Sequence, residues 1–159
     1  MPILFMLLGL ILRGVAFEFI FKSTGTAMRK VWVNCFHWGS LLAAFFQGII
    51  LGTFIIGFKV ENERFVGGSL DWLEPFTVLV GFSLIAGYVL LGSSWIIMKS
   101  EGALHDWAKK ISAYATLLVL LLMAAVSLYI PFINSHIFIR WFSLPNFYYL
   151  LPVPFITLV

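Results

Sequence analysis

The chain has 159 residues, of which 62% are hydrophobic, 18% aromatic and only 11% charged, with a mean hydropathy of +1.03. That balance excludes a water-soluble globular domain, in which about a quarter of the residues are charged. The formal charge of +3 sits in short basic clusters between apolar runs, a pattern of membrane-surface loops rather than of a nucleic-acid-binding stripe.

A spanning helix needs about 20 mostly apolar residues. Four full candidates follow one another at 3–21, 34–58, 75–98 and 111–131, with a partial, broken one at 141–159. The expected architecture is therefore all-α: a polytopic transmembrane helix bundle forming a single membrane domain over 1–159. Both ends read as cuts, because Met1 enters an apolar run almost directly and Val159 leaves one unfinished. The first run is too long for the apolar region of a signal peptide, lacks a basic leader and opens into a basic loop.

Between the first two runs, 22–30 holds Lys22, Arg29 and Lys30 with no acid. The 59–74 loop sets Lys59 and Arg64 against Glu61, Glu63, Asp71 and Glu74, and 99–110 sets Lys99, Lys109 and Lys110 against Glu101 and Asp106. Arg140 stands alone in the last loop, near 134–140. Alternate loops thus carry six basic residues against three, and the positive-inside rule puts 22–30 and 99–110 in the cytoplasm. The third run opens on Asp71-Trp72-Leu73-Glu74-Pro75, with proline suited to the first helical position and acids to a helix N-terminus. Trp32 and Trp72 are expected as interfacial anchors.

Within the spans, Arg13 is the costly residue. A charge near the bilayer centre costs about 3 kcal/mol on insertion scales, and Arg13 lies eight residues before Phe21, roughly 12 Å along the axis. Glu18 is about 140° round the helix from it and better placed for Lys22 at i+4. Arg13 therefore calls for an acceptor on another helix. Two readings stand: a structural pair between helices, or a proton path or counter-charge to a buried anion in which Glu18 also takes part.

Ser40, Ala44, Gly48 and Gly52 recur at every fourth position of the second run, with Gln47 beside them, and Ser83 and Gly87 repeat the spacing in the third. Small residues so spaced let helices approach closely in membranes. His37, close to the cytoplasmic boundary, His105, in a polar loop, and His136, near the opposite surface, share no common depth. They form no axial-ligand pair for a haem and no metal-ligand spacing. Cys35 is the single cysteine, so neither an internal disulfide nor a cysteine metal motif is expected. No catalytic, cofactor-binding or metal-ligating residue emerges from the residues themselves.

The chain resembles subunit II of the cytochrome bd-type quinol oxidases, closest to the cyanide-insensitive branch. The resemblance rests on ordered runs: Leu12-Arg13-Gly14-Val15-Ala16-Phe17-Glu18-Phe19, His37-Trp38-Gly39-Ser40, Phe46-Gln47-Gly48, Leu51-Gly52, Asp71-Trp72-Leu73-Glu74-Pro75-Phe76, Gly87-Tyr88-Val89-Leu90-Leu91-Gly92, Lys99-Ser100-Glu101-Gly102 and Arg140-Trp141-Phe142-Ser143-Leu144-Pro145. It implies a haem-free subunit of the bacterial cytoplasmic membrane, paired with a subunit I that carries the haems, in a complex that oxidises quinol and reduces oxygen to water. Such a subunit supports assembly and proton or oxygen access, with quinone and membrane lipid as its other contacts, and Arg13 becomes a buried polar contact near the subunit interface.

Two features depart from the family pattern. Ile20 follows Phe17-Glu18-Phe19 where the family has a basic residue, leaving Lys22 as the substitute partner of Glu18. The family's N-terminal segment, with its Asp-bearing first helix, and its later helices are absent, so the chain corresponds to a middle portion. The alternatives are a small transporter-like protein in which Arg13 binds an anionic substrate, and a truncated remnant without function. A transporter site is expected to be marked by helices interrupted near the midplane, whereas the one helix-breaking cluster, Pro152 to Pro154, is far from Arg13 in sequence.

Overall fold

In a computed structural model of the chain, residues 1–57, 60–61, 64–65, 68 and 70–133 are described. The partial span at 141–159, the 134–140 loop with His136 and Arg140, the Arg140–Pro145 run and Pro152 to Pro154 lie outside them, as do Lys59 and Glu63. Four long helices carry the fold: α1 (Pro2–Lys22), α2 (Thr26–Ile56), α3 (Pro75–Lys99) and α4 (Ala103–Ile133). All four are long and apolar enough to cross a membrane, so the chain is an all-α, multi-pass membrane protein. The one β feature is a minimal antiparallel pair between α2 and α3, Val60–Glu61 with Arg64–Phe65, in which Val60 faces Phe65 and Glu61 faces Arg64.

Two helices are longer than their apolar runs. α2 and α4 each begin eight residues before the expected starts at 34 and 111, so most of the expected loops 22–30 and 99–110 is helix. The reason is physical: the apolar window marks only the part suited to hydrocarbon, about 30 Å thick. A 31-residue helix is roughly 46 Å long, and its backbone hydrogen bonds continue beyond the bilayer into a basic first turn. Arg29 and Lys30, and likewise Lys109 and Lys110, thus ride on helix ends.

The connections are correspondingly tight. Between α1 and α2 only 23–25 is non-helical, and between α3 and α4 only 100–102. Gly102 takes φ +72, a left-handed conformation that costs glycine nothing, and its carbonyl accepts the Asp106 N–H at 3.2 Å to close the first turn of α4. Gly57 ends α2 at φ +88, its N–H reaching the Thr53 carbonyl at 3.1 Å. At the start of α3 the sequence signal is realised: Pro75 occupies the first turn behind the N-cap Glu74. The Thr77 hydroxyl accepts the Glu74 N–H at 3.2 Å, with the Trp72 and Glu74 carbonyls within its donor reach at 2.7 and 2.8 Å.

α2 is the centre of the packing, flanked by α1 and α3. A Cβ built on Gly9 would stand 2.9 Å from the Ala43 nitrogen and the Gly39 carbonyl oxygen, and one on Gly39 would stand 3.0 Å from the Arg13 nitrogen. The rings of Phe19 and Trp32 stack at 4.8 Å, and those of Phe5 and Phe46 at 4.9 Å, along the same antiparallel seam. On the other side of α2, a Cβ on Gly48 would fall 2.6 Å from Gly81 Cα, and one on Gly52 2.9 Å from Thr77 Cα. Backbones this close gain dispersion contacts that replace the hydrophobic drive missing in lipid. α4 fully buries only Ala108 and Ala115, one face two turns apart, and leaves most of its other residues exposed. The chain divides into two compact units, Met1–Leu122 and Met123–Val159, the described part of the second being the last turns of α4.

Candidate functional site

Halfway along α1, α2 and α3 an open groove of about 640 Å³ is lined by Leu10 and Arg13 of α1, by Phe36, His37, Ser40, Leu41, Ala44 and Gln47 of α2, and by Ile85, Tyr88 and Val89 of α3, with Ala43 at its edge. The α2 positions recur at helical spacing, which places them on one face. Arg13 reaches this groove because its backbone lies against Gly39, the one seam position of α2 there without a side chain.

The guanidinium is exposed and meets an aromatic face, with Arg13 Cζ 5.7 Å from the Phe36 ring centroid. Such a contact contributes about 0.5–2 kcal/mol, less than the roughly 3 kcal/mol that a central charge costs on insertion. Among the described residues no carboxylate lies within salt-bridge distance of it. Next along the groove, Ser40 donates to the Phe36 carbonyl of its own helix at 2.8 Å. Gln47 accepts the Tyr88 hydroxyl at 3.1 Å, a hydrogen bond from α3 to α2. Among the described residues that line it, the site holds one cation and no anion.

Glu18 is not part of this groove. Its carboxylate lies 2.5 Å from Lys22 Nζ, one turn on, and both side chains are exposed. The small-residue stripe divides in two. Gly48 and Gly52 lie in the contact with α3, whereas Ser40 and Ala44 are half-buried along the groove. Ser83 turns its hydroxyl back to the Leu79 carbonyl at 2.8 Å, and a Cβ on Gly87 would meet nothing within 4 Å.

The sequence reading missed Gly9, Gly39 and Ala43, which make the α1–α2 seam, and Thr77 and Gly81, which receive Gly52 and Gly48. Gly39 and Ala43 do carry a signal, a second small pair at i and i+4 one position out of phase with the stripe that was read.

His37 stands eleven residues into α2, in the groove beside Arg13, and one histidine moves from its expected place. His105 is in the first turn of α4 rather than in a loop, and its Nδ1 donates to the Ile97 carbonyl of α3 at 3.0 Å. Among the described residues no group of three or more His, Cys, Asp or Glu is arranged to hold a metal ion.

Comparison with known proteins gives a consistent picture. The family model described as cytochrome bd terminal oxidase subunit II matches residues 1–159. A probable cytochrome oxidase subunit 2 of Haemophilus influenzae is 28% identical over 130 residues, which covers 77% of this chain and 34% of that protein. The cytochrome bd ubiquinol oxidase subunit 2 of Bacillus subtilis is 28% identical over 112 residues, covering 70% and 33%. The cytochrome bd-I ubiquinol oxidase subunit 2 of Escherichia coli K12 is 22% identical over 135 residues, covering 79% and 35%. The chain thus spans about a third of the length of these relatives.

Proposed function

The chain belongs to the cytochrome bd terminal oxidase subunit II family, and from that membership we propose that it acts as the haem-free partner of a haem-bearing subunit I in a respiratory quinol:oxygen oxidoreductase. The observation that carries this reading is the match of the family model over the whole chain. In this role the chain supplies no catalytic centre; quinol oxidation and oxygen reduction take place in the partner, whose haems it does not ligate. Its own contribution is a rigid three-helix scaffold, α1 to α3, that supports assembly and borders a route for protons or oxygen. Arg13 is the polar contact of that scaffold within the membrane. Glu18 and Lys22 form an exposed ion pair on the basic side, outside the groove.

The placement in the bacterial inner membrane follows from the same reading. The α1–α2 and α3–α4 turns lie at the same end of an alternating bundle, and both carry the basic clusters, so that end faces the cytoplasm. A transporter reading has less support, because α1, α2 and α3 run through the groove without interruption, and a substrate site of that kind is formed by broken helices.

The test is co-expression of the tagged chain with its cognate subunit I, followed by a reduced-minus-oxidised spectrum of the purified material. Oxidase haem bands in stoichiometric yield are expected, together with quinol-driven oxygen uptake. Recovery of the chain without haem refutes the assignment. In the assembled complex, Arg13→Leu is expected to lower haem content or proton uptake; an unchanged spectrum and turnover would leave Arg13 without a functional role.

A further inference from the structure

We propose that the first turns of α2 bind the phosphate of an anionic phospholipid through Arg29 and Lys30, in the leaflet that meets the α1–α2 turn. The site stands apart from the Arg13 groove and independently of the oxidase reading. Thr26, Arg29, Lys30, Val33 and Asn34 line a cavity of about 410 Å³, and their spacing of three and four residues puts them on one face of the helix. Val33 is half-buried and the other four are exposed. A guanidinium offers paired donors to two phosphate oxygens, and an ammonium beside it adds a compact charge. The Thr26 hydroxyl and the Asn34 carboxamide are neutral donors on the same cavity. Gly25, the N-cap residue, brings no side chain to cap the helix, so the partial positive charge of the first turn adds to the two cations.

Depth selects a lipid as the source of that phosphate. Arg29 and Lys30 lie five and four residues before Asn34, where the apolar run begins, roughly 8 and 6 Å from it along the axis. The headgroup layer on each side of the hydrocarbon is about 5–8 Å thick, so both cations stand at headgroup level. Trp32, between them and the hydrocarbon, stacks on Phe19 of α1 at 4.8 Å and is the kind of aromatic that marks this interface. The cavity passes from Arg29 and Lys30 to the apolar Val33, the order in which a phospholipid runs from phosphate to acyl chain. Charge selects the anionic class. A zwitterionic headgroup would bring an ammonium toward two cations, and the first turn of α2 holds no acid to receive it. The other basic end differs: α4 carries Asp106 in its first turn, three and four residues before Lys109 and Lys110.

For the test, the intact protein is purified in mild detergent with the polypeptides that accompany it. It is then exchanged into nanodiscs of equal parts phosphatidylglycerol and phosphatidylcholine, and native mass spectrometry reads the lipid retained when the disc is removed. Phosphatidylglycerol is expected to be kept in preference to phosphatidylcholine. One cation near an anionic surface is worth a factor of about five. Arg29→Gln or Lys30→Gln should lower the preference by about that factor, and the double variant about thirtyfold. Arg29→Lys, which keeps the charge, should retain most of it, and Lys109→Gln with Lys110→Gln should leave it unchanged. Equal retention of the two lipids by the parent overturns the inference, as does an unchanged preference in the Arg29/Lys30 double variant. An equal loss in the Lys109/Lys110 variant would reduce the effect to general surface charge and overturns it too. Displacement of the lipid by millimolar inorganic phosphate would make this a soluble-anion site and overturns the lipid assignment.

Discussion

Replacing Gly48 with alanine probes the packing of α2 against α3 by adding a single methyl group. The new Cβ would lie 2.6 Å from Gly81 Cα and 2.9 Å from the Val80 carbonyl oxygen. Two carbons pack best at about 3.5–4.0 Å, so the helices must separate by about 1 Å. That movement also loosens the neighbouring contacts of the seam, Gly52 on Thr77 and Gly81 on Phe45. Overpacking of this kind costs about 1–3 kcal/mol, and alanine returns about 1 kcal/mol of helix propensity. The net expectation is a loss of about 1 kcal/mol, with Gly48→Leu costing more and blocking recovery of the assembled oxidase. Gly87→Ala is the control: with nothing within 4 Å of the new methyl, it is expected to be neutral or to stabilise by up to about 1 kcal/mol. Equilibrium unfolding in mixed micelles, followed by the fluorescence of the six tryptophans, measures both. A Gly48→Ala protein as stable as its parent, or an equal loss in Gly87→Ala, would refute the close approach of α2 and α3.

Tyr88→Phe removes the α3-to-α2 hydrogen bond to Gln47, and such bonds in membranes contribute about 0.6 kcal/mol on average; the same titration should show a small loss, absent when Gln47 is already leucine. Thr77→Val keeps the shape of a buried side chain while deleting the hydroxyl that accepts the Glu74 N–H. A cost of about 1–2 kcal/mol is expected, with faster amide exchange confined to the first turn of α3; uniform exchange along the helix would argue against a local cap. Glu18→Gln breaks an exposed ion pair of the kind that contributes little. Haem content and oxygen uptake of the assembled complex should be unchanged, and a fall in turnover at normal haem content would instead place Glu18 on a proton route.

Much of this protein was legible in one dimension because lipid imposes one strict rule. Every backbone polar group in hydrocarbon must be satisfied within the segment, so an apolar run of sufficient length is a helix. The four spans, the proline-led start of α3 and the isolation of Arg13 follow from that rule and from the arithmetic of charge. The ordered motifs likewise pointed to the oxidase family without any coordinates. The i+4 spacing of Glu18 and Lys22 was sufficient to pair them, since both lie on one helix and need no tertiary information.

Which helix meets which was not legible. Ser40, Ala44, Gly48 and Gly52 share one periodicity, yet the last two meet the backbone of α3 whereas the first two line the groove. The drift of a 3.6-residue helix past an antiparallel neighbour brings Gly39 and Ala43 against α1 instead. The starts of α2 and α4 were misplaced because hydropathy marks where a helix enters lipid, whereas hydrogen bonding decides where it begins. The groove itself exists only in three dimensions. Arg13, Ser40 and Tyr88 are 27 and 48 residues apart in turn, and it is the approach of three backbones at glycine and alanine that gathers them along one cleft.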